Sequence, residues 1–404
     1  MKASSFILLI LVSSQSLLGQ FTIADYLSAP FQEAEIIGLT KQLEYIDSES
    51  FKSPLFRELE VRLRSNDFNA SPEDFRLRLG FLNPIEQRRN KSYNDLHTEY
   101  LQTKYGFEAN LLIANRYKQL IRHYYLVENI KLLNSEIKQL SIAHNQLQLE
   151  RLSIKELIST DESILKKELK RKDITTELEI LEHLIYSIHN IKDSIVWDNF
   201  QMISIARITD IILKDTIGNS KEFELALQEL KLDEEAYKLN KAESWSNVGF
   251  LQAEYDIDRG KDINDHLGFQ LGISLPVFNV DKPKLQREKL DLLQDEYDLQ
   301  GIKDETELDR YYLLRKLSEQ VWSYELVSEK LFDFEELGNK LTYDELEDYL
   351  TLIGYVSYLR GLKNEISLEC VNTYIDLLTL SGKLSSSPFI VYISDDLSPI
   401  IPNN

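Results

Sequence analysis

Hydrophobic positions along this chain follow two periods. From Leu126 onward, Leu126, Ile130, Leu133, Ile137, Leu140 and Leu147 keep the alternating four-three spacing of a heptad seam, and His144 occupies the slot where one further apolar residue is expected. Between Asn83 and Leu152 the single proline, Pro84, stands at the very start, and the single glycine is Gly106. At about 1.5 Å per residue such a stretch, as helix, reaches on the order of 100 Å. A compact globule has no use for a rod of that length, so the pattern predicts long helical hairpins.

Four short segments have period two instead. Leu59, Val61 and Leu63 alternate with Glu58, Glu60, Arg62 and Arg64; beyond a polar turn, Phe75, Leu77, Leu79 and Phe81 alternate with Arg76, Arg78 and Gly80. Near residue 250, Leu251, Ala253, Tyr255 and Ile257 alternate with Gln252, Glu254, Asp256 and Asp258, and after an Arg-Gly-Lys-Asp turn Leu267, Phe269, Leu271, Ile273 and Leu275 do the same. Each hairpin has one apolar and one charged face. Two destinations fit such a hairpin: a soluble core beneath it, or a bilayer against its apolar face. Strands of about nine to eleven residues cross a bilayer when tilted, and charges of both signs suit a watery lumen. Four strands cannot close a barrel, so in the second case several chains must share it.

The hairpins also mark a duplication. Residues 20–191 form a first repeat, with its β-hairpin at about 55–82, and residues 192–384 a second, with its β-hairpin at about 247–276; in each, a long helical hairpin follows. Residues 385–404 are a tail to which no role is assigned. Residues 1–19 carry Lys2, an apolar run from Phe6 to Val12 and small or polar residues up to Gly19, the layout of a cleavable secretory signal; an uncleaved anchor is the alternative.

The junction LGISLPVFN, Leu271 to Asn279, follows an alternating strand and precedes a long helix, and LRLGFLNP, Leu77 to Pro84, occupies the same place in the first half. In this the chain resembles the TolC-like outer-membrane efflux family, over essentially its whole length beyond residue 19. The resemblance implies a mainly α protein with a small β part. Long α-helical hairpins would form a periplasmic tube, and four β-strands per chain would contribute to a trimeric, twelve-stranded outer-membrane β-barrel. It further implies a homotrimer that meets a periplasmic adaptor (membrane fusion) protein and an inner-membrane RND or ABC transporter, in tripartite efflux or type I secretion.

Particular positions follow from it. LGNKLTYDELEDYL, Leu337 to Leu350, looks like the family's helical tip, and RLSIKELISTDESIL, Arg151 to Leu165, overlays the other tip with Lys155 where glycine is usual. Gly338, Thr342, Thr160 and Asp161 are thereby the expected adaptor-contacting tips. Asp344 and Glu347, three apart on one helix face, are the expected acidic ring of the periplasmic entrance, with plain helix capping by Thr342 and Asp344 as the alternative. The strand-to-helix corners are expected at Gly80, Pro84 and Pro276, since proline ends a ladder and sets a bend.

Composition changes the picture mostly by exclusion. A net charge of −21 argues against nucleic acid as a partner. With 14 glycines and 9 prolines in 404 residues, uninterrupted helices fit better than several compact domains. Cys370 is the one cysteine and lies in an apolar helical stretch, as a small core residue would. Tyr100, Tyr105, Tyr117, Tyr124 and Tyr125 are expected to pack between helices, whereas Phe56, Phe75, Phe81 and Phe278 are placed to form an interfacial girdle. No Walker A loop, Rossmann fingerprint, H-E-x-x-H or G-x-S-x-G is present, and the six histidines lack metal-ligand spacing. The expectation is a passive conduit in the outer membrane with no catalytic residue, metal or cofactor; a periplasmic coiled-coil interaction protein, or a relative that no longer conducts, is the alternative.

Overall fold

The computed structural model describes residues 23–29, 31, 33–48, 56–64, 74–81, 84–149, 154–189, 200–214, 220–244, 250–256, 267–272, 281–338, 346–385 and 390–397. The expected signal segment lies outside these residues. In chain order the elements are α1 Ile23–Ser28, α2 Ala34–Ser48, β1 Phe56–Arg64, β2 Asp74–Phe81, α3 Pro84–Leu149, α4 Ile154–His189, α5 Ile205–Lys214, α6 Lys221–Glu243, β3 Phe250–Asp256, β4 Leu267–Gly272, α7 Lys282–Gly338 and α8 Leu346–Leu380, with a short 3-10 helix at Lys383–Ser385. The fold is therefore mainly α with one small sheet, as the two periods predict.

Helices α3 and α7 run for 66 and 57 residues. Pro84 opens α3, where its fixed φ suits the first turn and its missing amide costs no helix bond, and Glu86 in that turn complements the helix dipole. The heptad seam is real at the side-chain level: Leu126, Leu133 and Leu140 are buried, while Ile130, Ile137 and His144 are half-buried.

The chain forms two compact units. One comprises residues up to Ile36, Phe107–Lys221 and Thr306 onward. Its core joins Tyr26 and Leu27 of α1, Tyr117, Leu120 and Ile121 of α3, Ile185 of α4, Ile208 of α5 and Val371, Tyr374, Ile375 and Leu377 of α8. Cys370 is fully buried in the same cluster, and burial pushes its thiol up to about 12. Of the tyrosines expected between helices, Tyr117 and Tyr125 are buried, and Tyr100, Tyr105 and Tyr124 are half-buried.

Part of the tail proves to belong to this core. Ile393 is fully buried, its carbonyl accepts from the Ile203 amide at 2.8 Å, and Asp395 N donates to Gln201 O at 3.2 Å around an antiparallel bridge between Met202 and Ser394. The Tyr117 hydroxyl donates to Ile390 O at 2.6 Å and accepts from Tyr392 N at 3.2 Å. Gly382 turns the chain out of α8 at φ 68, and a Cβ there would collide with the Lys221 side chain.

The other unit comprises Ile37–Gly106 and Glu222–Glu305 and contains the sheet. Within it Arg89 reaches from α3 to the buried Glu235 of α6, with Nη1 at 3.0 and 3.2 Å from the two carboxylate oxygens. Asn240 of α6 donates to Glu288 of α7 at 3.0 Å.

Candidate functional site

The sheet is a four-stranded antiparallel meander in the order β1-β2-β3-β4, so β1 and β4 are its edges. The described strands have nine, eight, seven and six residues, the last two shorter than the pattern predicts; Ile257, Ile273 and Leu275, expected to extend them, lie outside the described residues. The register lines up every apolar position. Leu59, Leu79, Leu251 and Leu271 form one row across all four strands, Val61, Leu77, Ala253 and Phe269 the next, and Leu63, Phe75, Tyr255 and Leu267 a third. Among the described residues this face is largely open: Leu59 is 64% exposed, Val61 61%, Phe269 75% and Leu271 72%, while Leu79 and Ala253 of the inner strands are half-buried. An apolar surface of this continuity is unfavourable in water and marks a lipid or protein partner.

The opposite face has charged rows. Arg62, Arg76, Glu254 and Gly268 stand in one, and Glu60, Arg78, Gln252 and Gln270 in its neighbour. Glu254 accepts from Arg76 at 2.6 Å (Nη2) and 2.7 Å (Nε), tying β3 to β2. Glu60 pairs with Arg62 on its own strand and lies 4.0 Å from Arg78 across the ladder. The sequence showed these charges alternating with apolar residues. Their cross-strand pairing depends on the register, which the turn lengths alone left open.

Gly80 faces Glu58 where β1 carries a one-residue irregularity between Phe56 and Glu58, and Phe81 then pairs with Phe56. A Cβ on Gly80 would lie 3.5 Å from that of Glu58, so a side chain is sterically possible; the glycine marks the bulge at the end of the ladder. Pro84, three residues after the strand, begins α3. Pro276 lies outside the described residues, as does Phe278.

The expected tip residues fall at or near helix ends, in part outside the described residues. Helix α3 ends at Leu149 and α4 begins at Ile154, so Lys155 is helical, and Thr160 and Asp161 lie six and seven residues into α4. Thr160 is buried and Asp161 exposed, so of these two Asp161 alone presents its side chain to solvent. Gly338 is the last residue of α7. Thr342 and Asp344 lie outside the described residues; Glu347 is the second residue of α8, with its side chain outside them.

Among the described residues no group of three or more His, Cys, Asp or Glu is arranged to hold a metal ion, and no helix is long and apolar enough to cross a membrane.

With this geometry in hand, known structures give the fold. The chain superposes on the open state of the MtrE outer membrane channel of Neisseria gonorrhoeae with a TM-score of 0.66 and 12% identity, over 89% of this chain and 88% of that one. For the CmeC outer membrane channel of Campylobacter jejuni the values are 0.60, 12%, 89% and 84%. For the outer membrane protein VceC of Vibrio cholerae they are 0.56, 12%, 89% and 95%. No protein-family model and no curated protein matches in sequence. At these identities the likeness establishes the fold: this chain has the fold of the outer-membrane channel proteins, in agreement with the TolC-like resemblance.

Proposed function

We propose that the chain is one subunit of a channel in the outer membrane, a passive conduit for export that does no chemistry. The observation that carries this reading is the open four-stranded sheet, apolar and largely exposed on one face, charged on the other, and with both edges unpaired among the described residues. An edge strand invites another strand. Three copies joined edge to edge, β1 to the next copy's β4, would close a twelve-stranded barrel with its apolar face to lipid and its charged face to water. The helices then project into the periplasm.

In this reading the tips around Asp161, Thr160, Gly338 and Thr342 meet a periplasmic adaptor and an inner-membrane transporter of RND or ABC type, in tripartite efflux or type I secretion. Asp344 and Glu347 supply an acidic ring at the entrance, which attracts cations because charge focuses field in a narrow throat. Division into repeats 20–191 and 192–384 fits one β-hairpin and one helical hairpin per half. Membrane fractionation with crosslinking tests the reading. A trimer in the outer-membrane fraction is expected, and a soluble monomer would sink it.

The helical Lys155 at the start of α4, where family tips usually have glycine, favours a second reading: an interaction protein of the same fold that does not conduct. Planar-bilayer recordings separate the two. The channel reading expects conductance whose cation preference falls in the Asp344→Asn, Glu347→Gln double variant.

A further inference from the structure

In the unit that holds Phe107–Lys221 and Thr306 onward, two long helices have a second apolar face that the described residues leave open. On α4, Ile154, Ile158, Leu165, Leu169, Ile180 and Leu184 are exposed, and their steps of four, seven and eleven return to one side of a helix. Buried Thr160 and Ile185 mark the opposite side. On α7, Leu308, Tyr311, Tyr312, Trp322, Leu326 and Leu337 are likewise exposed, away from the buried Leu317, Val327 and Leu331. Contacts within the unit fix the heights of these faces. Phe334 of α7 packs edge-on against Tyr355 of α8 with ring centroids 4.7 Å apart, and Arg360 of α8 donates to Glu335 at 2.7 Å. Ser357, between those two α8 residues, accepts from Lys167 of α4 at 3.1 Å, so Lys167 is level with the part of α7 near Phe332. Along α3, Glu136 meets Lys167, Asn129 meets Asn364 of α8, and Arg122 meets Glu177, so α4 and α8 rise together and α7 descends.

We propose that α7 of one copy of the chain docks through this face on α4 of the next copy. The two stripes interdigitate at matched height: Leu165 and Leu169 fall in the gap between Leu337 and Leu326, and Ile180 and Leu184 fall in the gap between Trp322 and Tyr312. Charge is complementary at the same level. Residues 163–174 of α4 hold five cations and two carboxylates, net +3, and residues 325–336 of α7 hold five carboxylates and Lys330, net −4. Setting aside Lys166, Lys167, Glu335 and Glu336, which interact within the chain, three cations and two carboxylates on α4 still oppose three carboxylates and one cation on α7. Lipid is a poor cover for stripes that also carry Glu162 and Asp173 on α4 and Arg315 and Glu319 on α7. Since each chain offers both halves of the contact on different helices, the docking is head-to-tail. Equal heights meet when the copies are related by rotation about an axis along the helices; that ring rests on the channel reading above, whereas the open stripes do not.

Two full-length chains with different tags, produced together in a Cys370→Ser background, test this. One carries Leu169→Cys; the other carries Leu326→Cys, Glu329→Cys or, as a control, Leu308→Cys. Oxidation is expected to join the two tags at Leu326 or Glu329, close in height to Leu169, and not at Leu308, about 30 Å farther along the helix. No link at Leu326 or Glu329, a link only to some other protein, or an equal link at Leu308 would overturn the docking. Reversing charge with Lys170→Glu and Lys172→Glu in the first chain should lower the yield of the Leu326 link roughly threefold or more, and Glu329→Lys with Asp333→Lys in the second should restore it. Yield that stays low in the doubly reversed pair refutes the complementarity; should a reversed chain fail to fold, the cysteine pairs alone decide. Ion-conducting channels without the helical link would overturn the docking and leave the channel reading intact, while the link in a chain that does not conduct would do the opposite.

Discussion

Arg116 is a charged residue placed where charge is expensive, and its surroundings explain why it stays. It is 4% exposed, donates to the carbonyls of Tyr26, Leu27 and Ala29 at 3.2, 3.4 and 2.7 Å, and lies over the rings of Phe31 and Tyr26. Those carbonyls belong to the end of α1 and the residue after it, where no further helical N–H is left to donate to them. One guanidinium thus fastens the first described helix to α3, helped by a hydrogen bond from Tyr26 to Gln119. Arg116→Leu is expected to destabilise this attachment by about 2–4 kcal/mol, since it leaves buried carbonyls without a donor, and Arg116→Lys by less. Limited proteolysis of the N-terminal segment reads this directly, and equal cleavage of all three proteins would contradict it. His123 gives a pH dependence of known sign. Burial holds its imidazole below the ordinary 6.5, partly offset by the Glu182 carboxylate 3.1 Å away. The unfolded chain therefore takes up the proton first, so the contribution of neutral His123 is complete above about pH 6.5 and is lost as the pH falls toward the folded value. Denaturation midpoints from about pH 7 to pH 5 should fall less steeply in His123→Gln than in the wild type.

At the scale of elements, a seam of leucines joins the helices together with polar contacts between them, one of which is set into the seam itself. Glu136 of α3, 4% exposed and set between Leu133 and Leu140, accepts from Lys167 of α4 at 2.6 Å, and Lys167 also lies 3.1 Å from the Ser357 hydroxyl of α8. Removing the cation leaves a buried carboxylate unpaired, so Lys167→Met should cost about 1–3 kcal/mol. Pairing it with Glu136→Leu should recover most of that loss, because a buried ion pair is often no better than apolar packing. A double variant no more resistant to urea than the single one would refute this. Which parts could be foreseen follows the same line. Leu126, Leu133 and Leu140 announce their burial through a local period, and Leu59, Val61 and Phe269 announce a shared face through alternation. Polar contacts such as Glu136 with Lys167, or Arg76 with Glu254, join residues far apart in sequence and have no periodic signature. The segment 390–397 was illegible for a related reason: its burial depends on Tyr117 and Ile203, which only the fold brings to it. The burial of Thr160 was likewise not legible, since overlaying a tip motif fixes sequence register and says nothing of which face of α4 meets its neighbours.

For the whole molecule the decisive question is how the edges of the sheet are satisfied. Strands β1 and β4 end a meander whose apolar face is largely exposed, and a lone four-stranded sheet exposing Leu59, Val61, Phe269 and Leu271 would aggregate in water. Sequential antiparallel pairing makes β1 and β4 antiparallel as well, so β4 of one copy can continue the ladder onto β1 of the next without reversing any strand. Such a head-to-tail contact is heterologous, and it ends in a ring if the rotation closes and in a filament if it does not. Cysteine placed at Val61 in β1 and scanned over Phe269 and Leu271 in β4 tests this, in a Cys370→Ser background so that no other thiol is present. Oxidation in outer-membrane vesicles should yield a covalent trimer at one of the β4 positions and a dimer as its partial product, while either single cysteine should stay monomeric on a denaturing gel. A ladder extending beyond three chains would point to a filament or a larger ring. Monomer at every β4 position would mean that the edges are capped within the chain, and the shared barrel would then have to be abandoned.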